Sequence, residues 1–196
     1  NVRRDVDYAI INSNYALGAK LNPTKDALLV EGSSSAYVNI LGVKEENKNN
    51  PEIKALVAAL KSKQVVDFIN KTYGGAVIPV VENPTDGYDN TIDYKAIKGK
   101  KITIAATPTP HAEVLRIVEK ILLEKEITLI IVEFNDYIQP NLLVESGEID
   151  ANYFQHQPYL DDFNKERGTH IITVAGIHVE PFGLYAGKKN SLSELK

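Results

Sequence analysis

The chain has 196 residues, 43% of them hydrophobic and 24% charged, with a formal net charge of −4. That length supports one sizeable domain or two small lobes sharing a hinge, and the interspersed charges form no basic stripe for nucleic acid. There is no Cys and no Met, which excludes disulfides and thiolate metal sites. The first residue is Asn1, so loss of an upstream segment is expected, together with any signal peptide or lipid-bearing Cys. The longest apolar runs, such as 127–132, are too short to cross a bilayer.

In chain order, 7–11 read as a short buried strand and Asn22-Pro23-Thr24 as a turn. Residues 27–31 form a second strand, 32–35 a loop and 36–43 a third strand, followed by a polar exposed run over 44–50. Pro51 suits a helix start, where its missing N–H costs nothing, and Ile53, Leu56, Val57 and Leu60 recur at helical spacing. A second helix carries Val65, Val66, Phe68 and Ile69 and stops at Gly74-Gly75. Residues 76–81 are extended, and Pro79 confines them to an edge or irregular position. The turn-rich 82–100 segment reads as a linker.

Strand and helix then alternate. Strands are expected at 101–106, 129–134, 149–154, 171–177 and 182–186, with helices at 111–125, 137–145 and 159–167 and a rigid turn at 107–110. Such alternation predicts a mainly parallel sheet covered by helices. Residues 191–195 resemble the start of a helix with a capping box, cut after one turn.

In open α/β sheets, ligands bind beyond the C-terminal ends of strands. Three segments sit there: 106–111, 134–137 and 152–159. The third concentrates aromatic rings, amides and His156 within eight residues, suited to an apolar pocket with a few polar fixing groups. Plainer roles compete. Asp136 could cap the helix near Tyr137, His156 could be a satisfied half-buried ring, Asp161-Asp162 a solvated face and Gly74-Gly75 a helix stop. No phosphate-binding Gly-rich loop, nucleophile elbow or His-Glu-x-x-His motif occurs, so no catalytic residue is assigned. His111, His156, His170 and His178 have no metal-ligand spacing, so neither a metal nor another cofactor is expected. His178-Val179-Glu180 puts two side chains on one strand face, a weak signal by itself.

Segments 104–113, 136–141 and 150–160 resemble the methionine-binding lipoproteins of ABC importers, the NlpA lipoprotein family. So do 11–16, 22–27 and 37–39, and the resemblance covers nearly the whole chain. Its order is permuted: the block over 101–196 comes first in the family and that over 1–81 last, with 82–100 where the junction belongs. A family segment between them, which normally carries the Arg that grips the ligand carboxylate, is absent. A tandem fusion cut across its junction, an engineered permutation or proteolysis would each produce this order.

The resemblance implies an α/β fold of the periplasmic-binding-protein-like (type 2) class, with one lobe complete and the other partial. The first lobe would come from 101–186 and the helices at 51–72, the second from 1–35 and the residues after 190. Strands 36–43 and 177–186 would cross between them. Carried over by residue, Tyr137, Phe154, His156 and Tyr159 would line the first-lobe wall and Asn12 would reach across to the amino acid head group. Aromatic rings suit a thioether, and an Asn amide can serve both an ammonium and a carboxylate. Without the Arg, affinity should fall by one to two decades or more.

The resemblance also implies a non-enzymatic protein that delivers methionine or a related amino acid to permease and ATPase subunits. It would be held by a lipid at the extracytoplasmic face of the cell envelope. The alternative is a fragment with no ligand of its own, acting as an assembly module. Its open strand edges would favour a homo-oligomer formed by segment swapping.

Overall fold

The computed structural model describes residues 2–32 and 36–194. Ser33, Ser34 and Ser35 of the expected loop, and Leu195 of the expected final helix, lie outside the described residues. The strands are β1 (Tyr8–Asn12), β2 (Leu29–Val30), β3 (Val38–Lys44), β4 (Ile78–Pro79), β5 (Lys101–Ala106), β6 (Thr128–Glu133), β7 (Ala151–His156), β8 (Ile171–Val179) and β9 (Phe182–Ala186). The α-helices are α1 (Ser13–Gly18), α2 (Pro23–Asp26), α3 (Pro51–Leu60), α4 (Lys63–Tyr73), α5 (Glu113–Leu123), α6 (Gln139–Ser146) and α7 (Gln157–Arg167).

Among these residues the strands form two sheets: six strands in the order β4-β8-β3-β7-β5-β6, and three in the order β1-β9-β2. The larger sheet corrects the mainly parallel expectation. β5 pairs in parallel with β6 and β7, while β3 runs antiparallel to both β7 and β8, and β4 antiparallel to β8. The βαβ rule holds where α5 and α6 carry the chain between consecutive strands. It fails where β3 and β4, both from the first half of the chain, enter a sheet built by the second half and run against it. Strand insertion from a distant segment leaves no local periodic signal.

Period-2 alternation sorts side chains to the two faces. Ile104 and Leu41 point into a core shared with Ile53, Leu56, Leu60, Val65, Ile69, Leu115 and Val118 of α3, α4 and α5. Their neighbours Ala105 and Ile40 point the other way, onto Val144 of α6 and Leu160 of α7. Gly42 on β3 is required by this packing, since a Cβ there would fall 2.7 Å from Asn152 Oδ1. Gly74 ends α4 at φ 50°, in the left-handed region, so that Gly pair is a helix stop.

Three local expectations change in detail. Asn22-Pro23-Thr24 opens the one-turn α2, capped by Asn22 Oδ1 accepting from the Thr24 N–H at 2.9 Å. Residues 192–194 form a single 3₁₀ turn. The 82–100 segment has no helix or strand of its own, yet it packs on the core: Ile97 is buried, and Tyr88, Ile92 and Tyr94 are half-buried. The Tyr88 hydroxyl donates to Glu124 Oε2 at 2.6 Å, and Lys125 Nζ sits 4.3 Å from the Tyr88 ring centre. Turn residues announced the irregular path, and the tyrosines hold it to α5.

The smaller sheet is built by both ends of the chain. β9 lies between β1 and β2, with Tyr8 opposite Ala186 and Leu29 opposite Leu184. Ser13 Oγ donates to the Pro181 carbonyl at 2.6 Å, tying α1 to the link between β8 and β9. β3 and β8 belong to the larger sheet, and the chain passes from β8 to the smaller sheet over 180–181.

Candidate functional site

A cavity of about 150 Å³ lies beside the link between β8 and β9, which contributes Glu180 to its lining. Asn12, Tyr137, Phe154, His156 and Tyr159, the five residues singled out in the sequence, all line it. So do Asn14, Asn39, His111, Gln155 and Glu180, which sequence reasoning did not assign. A larger open groove of about 720 Å³ runs along α3 and the 82–90 segment, past Lys54, Lys61, Tyr88 and Ile172. It lacks the converging buried polar groups that fix a small ligand, so the smaller cavity is the candidate site.

The aromatic wall comes from β7, α7 and the approach to α6. Phe154 is buried, with the Tyr137 ring 5.8 Å and the Tyr159 ring 6.2 Å away between centroids. These tilted and edge-on spacings are favourable for aromatic rings. The Tyr159 hydroxyl donates to the Tyr137 carbonyl at 2.6 Å and fixes both rings relative to each other. Tyr137 is pushed up to about 12 by burial first and by neighbouring Tyr15 second, so its hydroxyl stays neutral. Asp136 lies beside the wall and takes the plainer role, accepting from the Ile138 and Gln139 N–H groups at the start of α6.

His156 does two jobs. Its Nδ1 accepts from the Tyr159 N–H at 3.2 Å and caps α7. An accepting Nδ1 carries no proton, so the neutral ring keeps its proton on Nε2. Burial lowers its pKa, which maintains that state. Tyr37 packs edge-on against this ring with centroids 4.9 Å apart. Asn12 also acts as a cap: its Oδ1 accepts from the Ser13 N–H at 2.9 Å, which orients the amide at the cavity's second wall.

Behind the wall, three buried amides lock one another. Asn141 Oδ1 accepts from Asn152 Nδ2 and from Gln155 Nε2, both at 2.8 Å, and Asn141 Nδ2 donates to Gln155 Oε1 at 2.9 Å. A fully satisfied buried network of this kind rigidifies its surroundings.

The cavity floor carries the strongest electrostatics. Cross-strand register puts Asn39 opposite both His156 and His178. His178 Nε2 lies 3.0 Å from Glu180 Oε1, and its Nδ1 meets the Tyr153 hydroxyl. His111 Nε2 lies 2.9 Å from Asn39 Oδ1 and 3.5 Å from Glu180 Oε1, and its Nδ1 lies 2.7 Å from Thr107 Oγ1. Desolvation drives both imidazoles down to about 3, so both are neutral. Burial pushes the Glu180 carboxyl up, opposed by His111, by the Asn14 N–H and by His156.

The scattered histidines of the sequence are thus partly gathered, and the His178–Glu180 pair on one strand face is a real contact. The ligand atoms of His111, His178 and Glu180 lie within 4.8 Å of one another, a donor set that suits a divalent metal. Metal ligation would require both Nε2 atoms to be unprotonated. The assignment that satisfies the whole network instead has the Tyr153 and Thr107 hydroxyls donating to the Nδ1 atoms, leaving Nε2–H on each ring.

A family profile described as NlpA lipoprotein matches residues 1–81 and 102–196. The methionine-binding lipoprotein MetQ of Bacillus subtilis (strain 168) is 45% identical over 97 residues, covering 49% of this chain and 35% of that protein. The D-methionine-binding lipoprotein MetQ of Salmonella typhi is 42% identical over 85 residues, covering 43% and 31%. These matches thus span about a third of the relatives' length. A phosphate-binding protein of a phosphate ABC transporter from Streptococcus pneumoniae TIGR4 superposes with a TM-score of 0.57 at 13% identity, over 99% of this chain and 74% of that one. That likeness shows the fold, an α/β arrangement of the periplasmic-binding-protein class.

Proposed function

The chain belongs to the NlpA lipoprotein family, and we propose that it is the solute-capturing component of an ABC importer, binding methionine or a closely related amino acid without catalysing a reaction. One observation carries this reading: five residues from distant segments, Asn12, Tyr137, Phe154, His156 and Tyr159, converge on one cavity. The rings offer the edges and faces that a thioether sulfur prefers. At about 150 Å³ the cavity suits a small amino acid better than the drug-sized ligands that fill about 300–1,000 Å³. Relatives named for methionine or D-methionine binding support this ligand. Calorimetric titration with L-methionine, D-methionine and glycyl-methionine tests it. Heat from at least one is expected, and silence from all three in a folded chain contradicts it.

The working context follows from the same reading. The protein delivers its ligand to permease and ATPase subunits at the extracytoplasmic face, held there by a lipid anchor. Relatives named as lipoproteins support this. No helix among the described residues is long and apolar enough to cross a membrane. We also propose that the two family-matched blocks stand in permuted order. Pairwise matches that each cover about half the chain, beside a family profile matched in two blocks, support that arrangement.

A second reading has its own observation. In the smaller sheet Ile10 is 74% exposed and Leu29 61% exposed, on the two edge strands. Open edges beside apolar side chains favour strand exchange between copies. Sedimentation separates the readings: a monomer that binds methionine removes this one, and a dimer that binds nothing favours it.

A further inference from the structure

The cavity contains a buried carboxylate with no cationic side chain beside it among the described residues. Glu180 sits in the link between β8 and β9 and is 7% exposed. Its donors are the His178 Nε2–H at 3.0 Å and the Asn14 backbone N–H, and the His111 Nε2, whose N–H goes to Asn39 Oδ1, lies 3.5 Å away. All three are neutral groups. They hold the carboxylate in place without cancelling its charge. No Lys or Arg lines the cavity among the described residues. Both imidazoles face away from a cationic role, because each Nδ1 accepts a hydrogen bond from a fixed hydroxyl, that of Tyr153 or Thr107. A buried charge without a counter-charge is costly, and a site that keeps one open to a cavity is complementary to a cation that arrives there.

We infer that Glu180 is the counter-ion for the ligand's ammonium group, so that the cavity selects amines and amino acids over carboxylic acids of the same shape. This inference rests on the cavity's being the ligand site, and it adds the chemistry of one end of the ligand. The aromatic wall receives the apolar side chain, and Glu180, oriented by the neutral His178, receives the charged nitrogen. His178 is then a positioning residue acting through Glu180. Charge-assisted contacts of this kind are about twice as strong as neutral ones.

Calorimetry on the full chain tests this with three ligands that share the thioether: L-methionine, 3-(methylthio)propylamine, which keeps only the ammonium, and 4-(methylthio)butanoate, which keeps only the carboxylate. The expected result is that methionine binds at least ~10-fold more tightly than the butanoate, with the amine also ahead of it. In Glu180→Gln the gap closes to within about threefold, because the ammonium-bearing ligands weaken and the butanoate does not. A merely structural role for Glu180 would weaken all three ligands together, and that result overturns the inference. So does a wild-type chain that binds methionine and the butanoate alike. If Glu180→Gln does not fold, as judged by circular dichroism, the wild-type ratio decides alone. A folded wild-type chain that binds none of the three removes the amino-acid reading itself. Methionine binding unchanged by the substitution removes only the counter-ion.

Discussion

The two sheets bear the cavity's walls unequally. The six-stranded sheet is covered on both faces, by α3, α4 and α5 on one side and α6 and α7 on the other, and its core side chains are fully buried. The three-stranded sheet buries little beyond Ser13, Ala16 and Tyr185, and the Tyr185 hydroxyl has no hydrogen-bond partner among the described residues. The aromatic wall and the amide network therefore stand on a rigid base, whereas Asn12 and Asn14 stand on a thin one. In the proposed reading, preorganisation comes from the first sheet, and adjustment to a ligand falls to the second.

The largest expected contrast is in stability. Leu115→Ala, in the core under the six-stranded sheet, should cost about 2–5 kcal/mol in urea unfolding. Leu29→Ala, exposed in the smaller sheet, should change stability by less than about 0.5 kcal/mol. Similar losses at the two sites would break the comparison.

The next effect is on pH. His111 and His178 are held near 3 in the folded chain, against 6.5 when unfolded. Below 6.5 the unfolded chain takes up protons that the folded chain refuses, so stability falls as pH drops from 6.5 towards 3. Two such groups give a slope of up to about 2.7 kcal/mol per pH unit. Glu180, raised from 4.5 by burial, opposes this by one proton over the interval between 4.5 and its folded value. Replacing His178 with Gln should flatten the acid limb of a thermal-melt series. An unchanged limb would show that the rings are not buried neutral.

A smaller effect is expected in binding. Tyr159→Ala removes one ring of the wall and the hydrogen bond to Tyr137, and should weaken methionine by about 10-fold or more. Smallest is Ile10→Thr, which should leave binding unchanged and stability within about 0.5 kcal/mol, while lowering any tendency to self-associate.

The sequence carried these regions unequally too. Helical spacing located α3, α4 and α5 within a few residues, and the aromatic–His block over 152–159 marked one wall of the cavity. Pro79 marked the edge strand, and β4 does lie at the edge of its sheet. The opposite wall was visible at Asn12 alone. His111 fell within the 106–111 strand end, but its pairing with Asn39 was hidden because the two meet across 72 positions of the chain. Glu180 was half visible: its pairing with His178 follows from period-2 alternation, but its burial at the cavity floor depends on Asn14 of α1 and on His111. The strand direction of β3 was unreadable for the same reason, since it is set by insertion between β7 and β8.

The central claim is that this cavity holds a methionine-like amino acid against the aromatic wall. Calorimetric titration of the folded chain with L-methionine, run beside the Phe154→Ala variant, tests it most directly. One-site binding that the variant weakens by about 10-fold or more is the expected result. Binding that is indifferent to Phe154, or no binding in a chain shown by circular dichroism to be folded, would contradict it.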